Sequence, residues 1–187
     1  MKISEQNGLY LFNKAQGQDT SLKPMLQFLR SHSPGRNLQF AYVESETSLL
    51  PHLSLWENLH VVVGGSNWKE FSAQLEVDWH PLVNLIRDPH QKAQEAGAWE
   101  KLTTSLLKAT LIQAPHIIID IDEALHTTLN LMNFKRMLLT LSEKKNIYVG
   151  TATPDAWMDS AHTIISRKDY EFVVENLTTT QKTLKTA

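Results

Sequence analysis

The sequence contains no cysteine among its 187 residues. This excludes disulfide bonds and every zinc or iron–sulfur site built on thiolate ligands, and it is typical of a cytosolic protein. An excess of either charge is also missing, because 18 Lys and Arg residues stand against 20 Asp and Glu residues. Binding to a nucleic-acid backbone needs a clustered excess of basic side chains, so we expect no nucleic-acid partner.

Long apolar runs are missing as well. Apolar runs such as 59–63 and 117–119 are far shorter than the roughly 20 residues that a membrane-spanning helix requires. Residues 1–5 do not have the pattern of a signal peptide. We therefore expect no direct insertion into a membrane, and we expect any membrane association to come through a partner.

What is present is typical of one compact domain, with 42% hydrophobic and 20% charged residues. Short apolar segments alternate with segments of helical periodicity. The predicted strands are 9–12, 38–43, 117–121, 146–150, 164–165 and 172–174, and the predicted helices include 22–29, 53–59, 102–111 and 129–141. This alternation predicts an α/β fold with a mainly parallel sheet, followed by a polar tail at 178–187.

One segment carries a more specific pattern. Residues 49–59 read Leu-Leu-Pro-His-Leu-Ser-Leu-Trp-Glu-Asn-Leu. This resembles the stretch after the Q-loop in the ATP-binding subunits of ABC transporters, which typically reads Leu-Leu-Pro-x-Leu-Thr-Val-x-Glu-Asn. In the same order, 117–125 resembles a Walker B strand, and 148–157 resembles the strand and loop that carry the switch histidine of that family.

The resemblance covers about residues 3–174. It implies a P-loop NTPase-like sheet flanked by helices in a single domain, residues 1–177, with a small helical subdomain at about 64–101. The β-hairpin that opens the family's domain has no counterpart before Ile3, so the resemblance implies that this hairpin is missing.

The P-loop of that family uses glycines and a lysine to hold nucleotide phosphates. Counted back from Leu22, Asp19 replaces the lysine, and Thr20 and Ser21 stand where the family has its Ser-Thr pair. Two glutamines replace glycines in the same loop. A carboxylate at the lysine position would repel a triphosphate, so the resemblance implies a degenerate Walker A loop.

Other family positions are altered too. Ser45 replaces the Q-loop glutamine, and Ala152 replaces the switch histidine. The family's signature, Leu-Ser-Gly-Gly-Gln, aligns with Gly97, Ala98, Trp99, Glu100 and Lys101. A bulky ring and a carboxylate at the glycine positions would prevent the close approach of a phosphate.

The Walker B-like segment allows two registers. Without a gap, Ile121 replaces the Mg²⁺-binding aspartate and Asp122 replaces the catalytic glutamate; with a one-residue slip, Asp122 and Glu123 restore the acidic pair. Asp120, Asp122 and Glu123 could form a metal site, but we favour a strand end with solvated carboxylates. We therefore predict no metal site and no cofactor.

A second set of residues is a candidate for partner binding: Leu50, His52, Leu53, Trp56, Trp68 and Trp79. By the resemblance, this region contains the helical subdomain and the groove that receives the permease. Aromatic side chains anchor interfaces because they bury a large area at low entropic cost. The alternative for the tryptophans is that they pack the core of the small subdomain.

The resemblance implies an inactive member of the family, a pseudo-ATPase scaffold that docks on a membrane permease or pairs with a homologous, active ATPase subunit. It would lie on the cytoplasmic face of the membrane and be held there by those partners. Two alternatives stay open: a soluble regulatory adaptor unconnected to transport, and a protein that binds nucleotide weakly without hydrolysing it.

Overall fold

The structure, a computed structural model, describes residues 7–14, 23–32, 39–44, 48–64, 67–112, 114–121, 125, 128–168 and 171–177. The segment before residue 7, where the missing hairpin was predicted, lies outside these ranges. The predicted tail at 178–187 lies outside them as well.

In the described part of the chain, six strands form one sheet: β1 (Gly8–Asn13), β2 (Phe40–Val43), β3 (His116–Asp120), β4 (Asn146–Thr151), β5 (Thr163–Lys168) and β6 (Glu171–Asn176). Their order in the sheet is β2-β3-β4-β1-β5-β6. The first five strands of that order run parallel, and β6 pairs antiparallel with β5. The prediction of a mainly parallel α/β sheet is confirmed.

The helices are α1 (Lys23–His32), α2 (Leu55–Val63), α3 (Trp68–Ala73), α4 (His80–Val83), α5 (Ala98–Leu111) and α6 (Thr128–Ser142). Between residues 67 and 97, all of which the structure describes, the elements are short: α3, α4 and 3₁₀ turns at Val77–Trp79 and Ala93–Glu95. α5 begins four residues before the predicted start. Among the described residues, no helix has the length and apolar character needed to cross a bilayer.

The central strands of the sheet are buried on both faces. On one face the rings of Tyr10, Phe12 and Tyr148 pack against Phe28 of α1 and its neighbours. On the other face, the alternate residues of β1, β2, β3 and β4 pack with α2, α5 and α6. The central strands are therefore apolar on both sides, as the Ile-rich segment at 117–119 indicates.

Candidate functional site

Three parallel strands, β3, β4 and β1, end side by side at one edge of the sheet. Ligands of open α/β sheets bind outside the carboxyl ends of such strands. Here Asp120 is the last residue of β3, Thr151 is the last residue of β4, and Lys14 follows β1 directly. The carboxyl ends of β3, β4 and β1, with Lys14, form the carboxyl edge of the sheet, which is therefore the candidate site.

Six of the predicted site residues fall outside the described part of the chain: Asp19, Thr20, Ser21, Ser45, Asp122 and Glu123. Ala152, the residue at the switch-histidine position, lies in the carboxyl edge directly after β4. Its neighbours bond to each other, since the Thr151 hydroxyl accepts the backbone N–H of Thr153 at 3.1 Å. A methyl side chain cannot accept or donate a proton, so Ala152 cannot act as a general base.

The carboxyl edge also holds an ion pair that the sequence analysis missed. The Lys14 ammonium contacts the Asp120 carboxylate, and the two side chains are only 11% and 25% exposed. The backbone N–H of Lys14 donates to the carbonyl oxygen of Thr151 at 2.9 Å and so extends the parallel ladder by one residue. The expectation of solvated carboxylates is therefore wrong for Asp120, which is largely buried and paired. The signal available in the sequence was a lysine placed directly after the first strand.

Ile121 bears on the register of the Walker B-like strand. Its side chain is buried, and its N–H donates to the carbonyl oxygen of Gly150 at 3.2 Å. In the ungapped register a core isoleucine therefore occupies the metal-binding position. The slipped register depends on residues outside the described ranges and stays a prediction.

The signature-like segment forms the start of α5. Gly97 is its N-cap, Ala98 is its first residue, and Lys101 closes the first turn with an N–H bond of 3.0 Å to the Gly97 carbonyl oxygen. The Trp99 ring packs edge-on against Phe134 of α6 at 5.7 Å between ring centres. The segment is therefore built into α5.

Glu100 explains why α5 begins early. Its Oε2 accepts the backbone N–H of Gly97 at 2.7 Å. Its Oε1 accepts the backbone N–H of Arg87 and the side-chain amide of Gln91, both at 3.1 Å. A carboxylate in the first turn stabilises the positive end of the helix dipole, so this helix start already carries its own anion.

The Leu50–Trp56 loop, which ends in the first two residues of α2, exposes the partner-binding candidates at its start. Leu50 is 48% exposed, His52 is exposed and Leu53 is half-buried. Backbone bonds hold this loop against residues 89–94, including Trp56 N–H to the Pro89 oxygen at 2.8 Å and Ala93 N–H to the Leu53 oxygen at 2.8 Å. The loop is therefore a fixed surface feature.

Asn58 fixes the same loop from below. It is 1% exposed, and its Oδ1 accepts the backbone N–H of Leu50 at 2.7 Å. Its Nδ2 donates to the carbonyl oxygens of Leu50 at 3.1 Å and Ser54 at 2.9 Å. The preceding Glu57 forms a capping box with Ser54, and hydrogen bonds from Ser54 hold the pKa of Glu57 below its ordinary value. The Glu-Asn pair of the motif thus shapes the loop.

The three tryptophans among the partner-binding candidates differ in how far their side chains are buried. Trp56 and Trp79 are only 8% and 7% exposed, so the alternative of core packing describes both. Trp68 is half-buried, and its ring meets that of Trp56 at 5.9 Å in a T-shaped contact. Phe71 completes this aromatic cluster at 5.5 Å from Trp56.

Comparison with solved structures identifies the fold family of the chain. The chain superposes on the ATP-binding cassette MJ0796, in a dimeric post-hydrolysis state with ADP and Pi, with a TM-score of 0.69 and 16% identity. The match covers 95% of this chain and 88% of the other. The chain has the fold of an ATP-binding cassette. A further dimeric structure of MJ0796, a bacterial ABC transporter cassette, gives a TM-score of 0.68 at 15% identity over the same shares of both chains.

The chain also superposes on the structure of an ATP-binding subunit of an ABC transporter, with a TM-score of 0.64 and 16% identity. This match covers 91% of this chain and 79% of the other. No protein-family model matches the chain, and no curated protein sequence matches it. At these identities the likeness shows the cassette fold alone.

Among the described residues, no group of three or more His, Cys, Asp or Glu side chains could hold a metal ion.

Proposed function

We propose that this cassette-fold chain is a catalytically inactive subunit that acts as a scaffold in a membrane transport or envelope complex. It docks on a membrane permease, pairs with an active ATPase subunit, or does both. The dimers formed by MJ0796 support the pairing arrangement. The chain would then lie on the cytoplasmic side of the membrane, held there by its partners.

The observation that carries the proposal is the Glu100 carboxylate at the start of α5. In ABC cassettes the signature segment approaches the γ-phosphate bound to the opposite subunit, and a helix start attracts anions. In this chain Glu100 already bonds the Gly97 N–H at 2.7 Å. A phosphate brought to this helix start would meet a negative charge where the family has glycines, and the Coulomb term would oppose binding.

Two further positions support the same conclusion. Ala152, after β4, supplies no proton acceptor, and Asp19 places a negative charge where the P-loop lysine stands in the family. Enzymes accelerate phosphoryl transfer almost entirely by positioning and electrostatic stabilisation. Because several of these groups are replaced together, the residues present do not fit a magnesium–triphosphate complex.

The first experiment is an equilibrium titration of the purified chain with Mg-ATP, together with a measurement of phosphate release. We expect neither micromolar binding nor turnover. We also expect no turnover from the Asp19→Lys variant, because the other positions remain altered. Micromolar binding without turnover would favour the weak nucleotide-binding alternative, and turnover by either protein would refute the proposal.

The second experiment is affinity capture from native membranes, followed by mass spectrometry. Leu50→Asp changes an exposed residue of the Leu50–Trp56 loop, and Met132→Asp is the matched control because Met132 is an exposed apolar residue on α6, outside the candidate partner-binding region. We expect a polytopic permease to be recovered with the wild type and the control, and to be depleted with Leu50→Asp. Recovery of soluble partners alone would support the adaptor alternative.

A further inference from the structure

Two helices, α2 and α5, begin beside the same turn of the chain, residues 87–91. The first N–H groups of a helix have no partner within the helix. In α2, the N–H of Leu55 donates to the carbonyl oxygen of Gln91 at 3.1 Å, and the N–H of Trp56 donates to that of Pro89 at 2.8 Å. The 87–91 turn therefore supplies the missing partners at the start of α2.

The same turn is bonded to the start of α5 through one side chain. Glu100 Oε1 accepts the backbone N–H of Arg87 and the side-chain amide of Gln91, both at 3.1 Å. The other oxygen, Oε2, accepts the N–H of Gly97 at 2.7 Å. Hydrogen bonds to a charged acceptor are stronger than neutral ones, and the half-buried Glu100 side chain is only partly open to competing water. One carboxylate thus joins the 87–91 turn to α5.

The chain that follows the turn runs along the Leu50–Trp56 loop. Ser54 and Lys92 form an antiparallel bridge, and the N–H of Gln94 donates to the carbonyl oxygen of Pro51 at 3.1 Å. Backbone bonds from the turn and from the residues just after it therefore hold the loop in place. Because the carboxylate on α5 bonds the turn, it acts on the loop through this backbone.

We propose that Glu100 is a positioning residue of the docking surface: by bonding the 87–91 turn, it holds the Leu50–Trp56 loop in the conformation that binds the permease. This inference rests on the proposed function and adds to it a residue that lies outside the loop. A loop that is already held in its bound conformation loses little conformational freedom on docking, so it binds more tightly. Glu100, which the sequence places in the signature-like segment, thus serves the docking surface.

The first measurement is native-state hydrogen exchange of the full chain at the Leu55 and Trp56 amides. Glu100→Ala removes the acceptor that holds the 87–91 turn, so both amides should exchange about tenfold faster than in the wild type. Glu100→Gln keeps one carbonyl oxygen as an acceptor and should give a smaller acceleration. Asn7→Ala is the control for general destabilisation, because it removes an exposed side-chain hydrogen bond of another region, and it should accelerate both amides less.

The second measurement is capture of the permease from detergent-solubilised native membranes. Each variant is used at a temperature at which circular dichroism shows it to be fully folded. We expect Glu100→Ala to recover several-fold less permease than the wild type, and Asn7→Ala to recover as much as the wild type. A merely structural role of Glu100 would not change the recovery by folded protein.

The inference is overturned if the Leu55 and Trp56 amides exchange no faster in Glu100→Ala than in Asn7→Ala. It is also overturned if folded Glu100→Ala recovers as much permease as the wild type. The proposed function fails separately, by a wild type that recovers no permease or that turns over Mg-ATP. The two failures are distinguishable because the exchange measurement contains neither partner nor nucleotide.

Discussion

Asn58→Ala is the sharpest test of how the Leu50–Trp56 loop is held. The substitution removes the acceptor of the Leu50 N–H at 2.7 Å and the donor to the Leu50 carbonyl oxygen at 3.1 Å. The Ser54 carbonyl oxygen keeps a partner, because the Asn58 backbone N–H still donates to it at 3.0 Å. The Leu50 carbonyl oxygen also keeps a partner, the Leu53 backbone N–H at 3.2 Å, so only the Leu50 N–H is left without its bond, next to a side chain that is 1% exposed.

An unsatisfied backbone N–H costs about 1–3 kcal/mol, so we expect a loss of roughly 2 kcal/mol in the free energy of unfolding. For a domain of this size, that corresponds to a fall of about 6 °C in the unfolding midpoint. Asn58→Asp should be at least as damaging, because a carboxylate keeps the acceptor but faces the Leu50 and Ser54 carbonyl oxygens without a donor.

The matched control is Asn67→Ala, which removes an exposed N-cap whose Oδ1 accepts the Glu70 N–H at 3.0 Å. Loss of such a cap costs about 1 kcal/mol. Urea unfolding gives both free energies, and native-state hydrogen exchange should show faster exchange of the Leu50 amide in Asn58→Ala alone. If Asn58→Ala lost no more stability than the control, with unchanged exchange at Leu50, the reasoning would be refuted.

Two further predictions concern titrating groups. Burial raises the pKa of Asp159, but hydrogen bonds from Lys135, at 3.0 Å, and Ser160 outweigh it and leave the pKa below its ordinary value. Because the Asp159 side chain is 54% exposed and solvent screens its ion pair, Asp159→Asn should cost only about 0.5 kcal/mol above pH 4. The difference should disappear as the pH falls through the lowered pKa, and a difference that is constant with pH would contradict this. Burial, followed by the charge of Tyr10, raises the pKa of Tyr148. We expect Tyr148 to stay protonated until the protein unfolds in alkali. The free energy of unfolding should fall above about pH 10, because the unfolded chain releases the Tyr148 proton there. Ultraviolet absorbance would argue against this if all four tyrosines ionised reversibly near pH 10 in the folded state.

The local sequence predicted the elements of the cassette fold well. The apolar run at 117–119 is a strand buried on both faces, and the predicted helix at 53–59 overlaps α2, which a Ser54–Glu57 capping box begins. These features follow from residues close in sequence, whose periodicity and capping act within one element. The start of α5 was missed because Glu100, the residue that fixes it, was assigned only a degenerate signature position.

Tertiary structure decided which side chains meet at the carboxyl edge. Lys14 and Asp120 are 106 residues apart, and they meet only because the strand order places both at one edge with Gly150 between them. The burial of Trp56 likewise depends on Phe71 and Trp68, which come from another helix. Local pattern fixes which residues form a strand or helix, but the neighbours of a side chain are set by the order and register of elements distant in sequence.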